Sequence, residues 1–182
     1  MTLVTMVSRT RVSEAAEFLR RPKVVVTFFI VLALLLGAAT IARTPIGNSP
    51  DCWSHVYRIA AIYNGDIVAR SVDAVSPFHQ ISSESYGGAV DWDIIHLSME
   101  YPGWTWMSVV DPGSITVFDE QKADVVFNNA AVYTPVSYLP YVFALALCRA
   151  TPFLNAPVTI YYAMQILGLV TFVCLLGLGL AL

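Results

Sequence analysis

Charge is scarce in this chain. Only 13% of its 182 residues are Asp, Glu, Lys or Arg, against roughly a quarter in a soluble domain, which points away from a fully solvated surface and toward a membrane. The formal net charge of −3 is small, and lysines and arginines nowhere alternate with aromatics as a nucleic-acid groove requires, so nucleic acid is excluded as a partner. Cysteine is scarce too. Cys52, Cys148 and Cys174 are scattered and the last two fall inside apolar runs, so neither a disulfide framework nor a paired metal-ligand spacing can be read from them. No internal repeat and no low-complexity segment is visible.

What the chain has in quantity is apolar sequence, 57% of it hydrophobic. Residues 24–42 (VVVTFFIVLALLLGAATIA) carry no charge; at about 1.5 Å per residue they nearly match a hydrocarbon core of about 30 Å. The run is longer than the apolar region of a signal peptide. Arg9, Arg11, Arg20, Arg21 and Lys23 precede it and only Arg43 follows before the acidic part begins, so residues 1–23 are expected to be cytoplasmic. Within them Ser13 to Arg20 suggests a short surface helix ending near Pro22. A second span is expected at 133–148, kinked near its start by Pro135 and Pro140. A cytoplasmic turn at 149–157 containing Arg149 and a third span at 158–182 would follow. The expected fold class is mainly α and integral to the membrane: three transmembrane helices with a mixed extracytoplasmic loop at 43–132 carrying an interfacial amphipathic helix. The apolar end, GLGLAL, suggests the N-terminal part of a longer polytopic protein.

The loop from Thr44 to Asn129 holds eleven of the thirteen acids, opposed only by Arg58, Arg70 and Lys122, and a segment of that length is expected to be folded and functional. Its amphipathic helix is expected at about 50–64. Ser49 would be the N-cap, Pro50 the first helical residue and Asp51 an acid in the first turn, with Asn64-Gly65 as the stop. Trp53 and Tyr57 would lie at the headgroup level while Asp51, His55 and Arg58 share another face. Asp51 alone could be no more than a helix cap. An acid, an imidazole and a guanidinium together at a membrane edge suggest a site.

Further along, Asp91-Trp92-Asp93 has the D-x-D form with which soluble nucleotide-sugar transferases hold a divalent metal, and Asp93, His96 and Glu100 would share a helical face. These groups could bind a divalent metal, but a solvated acidic face is the favoured reading and no metal ligand is assigned. Tyr101-Pro102-Gly103-Trp104-Thr105-Trp106 combines a turn with aromatics suited to membrane anchoring, Asp111-Pro112-Gly113 marks another turn, and Ser114 to Phe118 suggests a short strand.

Two separated pieces resemble a bacterial family of multi-pass membrane proteins known only as a domain of unknown function. PDCWSHVYRIAAIYNGDIVA resembles its P-D-E-x-x-H-x-x-R motif after the first span. FNNAAVYTPVSYLPYVFALALCRATPFLNAPVTIYYAMQILGLV resembles its N-T-A-x-Y-x-P-x-x-Y-x-P block and the spans beyond. That family is similar in layout to the GT-C membrane glycosyltransferases, in which an acid soon after the first span acts on a lipid-linked sugar. The resemblance covers most of 24–182 except about 71–123. It implies Asp51 as general base, His55 and Arg58 as ligands of a donor phosphate, and Asn129, Tyr133 and Tyr138, with Pro135 and Pro140, as parts of the loop and groove. It departs at Cys52, where the family has glutamate.

The implied function is sugar transfer from a polyprenyl-phosphate donor in cell-envelope glycan synthesis, with membrane lipid and the polyprenyl-phosphate-linked sugar as partners, in the cytoplasmic membrane of a bacterium. The alternative is a non-catalytic scaffold or assembly subunit of an envelope polysaccharide system, which the missing glutamate favours. A transporter is disfavoured because no span carries an internal charge.

Overall fold

The computed structural model describes residues 22–72, 85–101 and 122–181. They are mostly helical: α1 (Pro22–Arg43), α2 (Cys52–Tyr63), α3 (Trp92–Glu100), α4 (Asn128–Ala131), α5 (Leu139–Arg149) and α6 (Pro157–Ala181), with 3-10 turns at Pro135–Tyr138 and Pro152–Leu154. The strands β1 (Arg70–Ser71), β2 (Tyr86–Asp91) and β3 (Lys122–Val126) form one antiparallel sheet in that order. Arg70 stands opposite Gly87, and Gly87 opposite Val126. The expected surface helix at 13–20, the turn at 111–113 and the strand at 114–118 lie outside the described residues, as does the 101–106 aromatic segment except for Tyr101.

The chain forms two compact units, one made of the residues up to Ala39 with Leu169–Leu182, the other of Thr40–Gly168. In the first, the small residues Gly37 and Gly177 leave room for Leu169 and Ile30 respectively, the kind of close helix contact on which association in lipid relies. Lys23–Arg43 and Pro157–Leu180 are long and apolar enough to cross a membrane, with mean hydropathies of 2.8 and 2.2. Neither is a buried core helix: Phe28, Leu35, Phe172 and Leu175 all face outward.

In the second unit α2 is the centre. Trp53, Val56, Tyr57, Ile59, Ala60 and Ala61 are buried, and the core they join includes Val90, Ile94, Phe127, Leu145 and Ile160. This corrects the expectation of an interfacial amphipathic helix. The helical spacing of the apolar residues is as expected, but a sheet, α3 and α5 cover the face meant for lipid headgroups. Trp53 Nε1 donates to the Tyr101 carbonyl at 2.9 Å and the Tyr57 hydroxyl meets Ser98 Oγ, so both polar tips are satisfied inside the protein. The helix also starts later than its sequence signals suggest, with Asp51 rather than Ser49 in the N-cap position.

Gly47 lies in the turn that leads to this helix, with φ 76, and a Cβ there would run into the Tyr101 carbonyl oxygen and the Trp53 indole. The positive φ and the close approach both require glycine. Gly47→Ala is therefore expected to destabilise this unit by about 1–3 kcal/mol, measured by denaturant unfolding of the protein in detergent micelles.

The expected second span at 133–148 needs the larger correction. Pro135 starts a 3-10 turn and Pro140 sits in the first turn of α5, so the α-helix has 11 residues, a length of ~16 Å or about half a hydrocarbon core. Arg149, placed by the sequence in a cytoplasmic turn, donates from Nη1 to Asp93 Oδ2 at 2.7 Å and from Nη2 to Asp93 Oδ1 at 2.8 Å. It also reaches Asp91 Oδ2 at 3.4 Å and Asn155 Oδ1 at 2.8 Å. A guanidinium in contact with the loop cannot stand across a core of about 30 Å from it. The segment 133–156 thus belongs to the same folded unit as the loop.

Candidate functional site

Between α2, the 3-10 turn before α5, α5 itself and the first turns of α6 lies a cleft of about 420 Å³. Cys52, His55 and Ile59 form one wall, Tyr133, Ser137 and Tyr141 another, and Tyr161, Met164 and Gln165 a third. His55 is the one His, Asp, Glu, Lys or Arg in its lining. Aromatic rings and aliphatic groups with a few hydroxyls and one amide suit a ligand that is mostly apolar and carries a small polar group.

Asp51 sits directly between Pro50 and Cys52, both of which line this cleft. Its backbone is left-handed, φ 53 and ψ 15, and it is the one non-glycine residue with positive φ among those described. Aspartate tolerates that region better than most residues. Although it holds the N-cap position, its side chain makes no capping hydrogen bond. Its exposed carboxylate instead accepts a hydrogen bond from Asn129 Nδ2 at 3.2 Å. The cap reading of Asp51 therefore fails, and the carboxylate is available to a second partner.

His55 lines the cleft, its Nδ1 hydrogen-bonded with the Tyr138 hydroxyl at 2.8 Å. The rings of Tyr133 and Tyr138 flank it at 5.5 and 6.0 Å between centroids. Five of the six residues singled out from sequence thus fall into two groups, Asp51 with Asn129 and His55 with Tyr133 and Tyr138, and only the second lines the cleft.

Arg58 is not among them. It is 1% exposed, donates to the carbonyls of Asp66 and Ile67 at 3.1 and 2.7 Å, and lies 5.7 Å from the centre of the Phe127 ring. Its Nε is buried without a partner. Burial lowers its pKa from the ordinary arginine value, against the raising influence of Tyr138 and Asp66. Arg58 fastens the chain leaving α2 and does not reach the cleft. The sequence places it on the same side as His55, but the helix turns it into the core.

Cys52 is buried, with Sγ 3.3 Å from the Tyr161 hydroxyl. That hydroxyl also accepts from the Gly47 amide at 3.3 Å. Burial pushes the Cys52 thiol pKa up, and the hydrogen bonds of Tyr161 and Gly47 only partly oppose this. The thiol is thus neutral and packed.

Asp91 and Asp93 do not face the cleft either. Their charges meet Arg149, and Asp93 is 3% exposed. Burial acts against the charge of Arg149, but the two carboxylates more than offset it and raise its pKa above the ordinary value. Among the described residues no group of His, Cys, Asp or Glu has an arrangement that could hold a metal ion.

Burial pushes the Tyr57 and Tyr138 hydroxyls up to about 12. A tyrosine freed by unfolding ionises near 10, so the stability that these two contribute is intact below about pH 10 and falls as pH rises toward 12. Absorbance titration is expected to show both still protonated at about pH 11 until the fold opens, and Tyr57→Phe should remove part of the alkaline loss.

Sequence reasoning missed the α6 wall of the cleft. Tyr161, Tyr162 and Gln165 were the available signal: polar groups in the first turns of an otherwise apolar run. It also missed the partnership of Arg149, although a lone arginine between two apolar runs calls for an acid. No family model, no curated protein and no solved structure matches this chain.

Proposed function

We propose that this protein is held in a membrane by α1 and α6 and that its Thr40–Gly168 unit, on one side of that membrane, binds a polyprenyl-phosphate-linked sugar and transfers the sugar in the manner of GT-C glycosyltransferases. The observation that carries this reading is the exposed Asp51 carboxylate, free of capping duty in a left-handed backbone, on a residue whose two chain neighbours, Pro50 and Cys52, line an aromatic cleft. A carboxylate so placed can take a proton from an acceptor hydroxyl as the sugar moves to it. His55 is the one cleft residue able to carry positive charge and would meet the donor phosphate through a charge-assisted hydrogen bond. Tyr133, Tyr141 and Met164 would enclose the first isoprene units. No step in this chemistry is assigned to a metal.

Basic residues before α1 and the acidic unit after it favour a cytoplasmic N-terminus, in keeping with a bacterial cytoplasmic membrane. Because the segment 133–156 folds with the loop, α1 and α6 would form a hairpin with both outer ends on the cytoplasmic side.

Cys52 favours the second reading, a non-catalytic scaffold of an envelope polysaccharide system, since its thiol stands where the resembling family has a second acid. Sugar transfer in membranes carrying wild type or Asp51→Asn separates the two. Transfer that depends on Asp51 supports the enzyme, and no transfer by either protein supports the scaffold.

A further inference from the structure

Among the described residues, the outer face of α5 is apolar and exposed. Its inner face is buried through Ala144, Leu145 and Cys148, whereas Leu139, Phe143 and Leu147 are exposed, Phe143 by 63%. The stripe is prolonged backwards by Val136, 71% exposed, and forwards by Phe153, 83% exposed. A soluble surface seldom carries so continuous an apolar band.

We propose that this band, formed by the 3-10 turn at Pro135–Tyr138, α5 and Phe153, lies among the acyl chains of one bilayer leaflet, with α5 parallel to the membrane surface rather than across it. Three observations select lipid over a protein partner. From Phe127 to Cys148 there is no charged residue, so the segment that forms the band has no charge of its own to keep it out of hydrocarbon. The first charge after it, Arg149, turns inward to Asp93 rather than outward. Chain continuity adds the third: the band ends at Phe153, four residues before α6, the second helix able to cross a membrane. A side-lying helix with one apolar face out is the geometry of interfacial anchoring. The 11 residues of α5 suffice for it and do not suffice to span.

Tyr133 and Ser137 stand in the same stretch and also line the cleft. Seating the band in the leaflet brings the cleft to the acyl-chain level, so that a lipid-linked ligand enters sideways without leaving the bilayer. The placement of α5 rests on the reading that α1 and α6 cross the membrane, and its test keeps the two apart.

Single cysteines at Val136, Phe143 and Leu147, with controls at Leu35 in α1 and at Val68, are spin-labelled in the Cys174→Ser protein and reconstituted into phosphatidylcholine–phosphatidylglycerol vesicles. Collisions with oxygen and with a water-soluble nickel chelate are then measured. The expected result is oxygen exceeding the chelate several-fold at 136, 143 and 147 and at 35, the reverse at 68, and similar depths for 136 and 147. Chelate dominance at the three band sites with Leu35 still in lipid overturns the placement of α5 alone. Chelate dominance at Leu35 as well overturns the membrane reading. Exclusion of both reagents at 143 shows a protein on the band, and a depth that changes by about 15 Å from 136 to 147 shows a crossing helix; either overturns the proposal.

Discussion

Arg149→Met is expected to destabilise the Thr40–Gly168 unit by about 3–5 kcal/mol, the cost of leaving one partner of a buried ion pair without the other. Arg149 is 15% exposed and Asp93 3%, and the guanidinium meets both carboxylate oxygens of Asp93, the bidentate geometry that makes such pairs strong. Without the cation Asp93 keeps the amide of Ile94, at 2.9 Å, as a hydrogen-bond donor. Denaturant unfolding in micelles, followed by tryptophan fluorescence, measures the loss. The double change Arg149→Met with Asp93→Leu should recover much of it, because two apolar side chains of similar size replace the buried pair and only the partly exposed Asp91 is left without its cation. A loss below about 1 kcal/mol would mean that the acids form a solvated face, as exposed pairs do. The folding of 133–156 with the loop would then lose its main support.

Asp51→Asn is expected to lower sugar transfer by about 10²–10⁴-fold, the range spanned by general-base contributions, with little change in stability. Asparagine suits this position. It tolerates left-handed backbone as aspartate does, and its amide oxygen can still accept from Asn129, so what is removed is the basicity and the charge. Asp51→Ala would add strain at φ 53 and confuse the two effects. Asn129→Ala should lower transfer less than Asp51→Asn, because it frees the carboxylate without removing it. Transfer by Asp51→Asn at the wild-type rate would remove Asp51 as the base.

The parts of this architecture legible in the sequence are those set by local periodicity. An uncharged run over 24–42 becomes α1, and Asn64-Gly65 ends α2 as a turn signal should, with Gly65 at φ 104. Asn129 and Tyr138 reach Asp51 and His55 across about 80 residues of chain, contacts that no local pattern signals. Tertiary contacts were not legible. An amphipathic pattern says that one face is covered without saying by what, and α2 is covered by protein where the sequence suggested headgroups. Likewise, apolar composition at 133–148 cannot distinguish a span from a short helix with one face on a core and the other exposed. The prolines were the available sign, and their effect is to shorten the helix rather than kink it. Arg58 shows the limit of face arguments: the spacing from His55 is helical, yet a difference of three residues is enough to turn the side chain inward.

The central claim is that the cleft between α2, α5 and α6 receives the lipid-phosphate part of a sugar donor. A polyprenyl phosphate carrying a photoreactive group on its first isoprene unit, crosslinked to the protein in membranes and mapped by mass spectrometry, tests this most directly. The account predicts label on Tyr133, Tyr141 or Met164, diminished by unlabelled polyprenyl phosphate. Label confined to the outward faces of α1 and α6, and undiminished by that competitor, would contradict it.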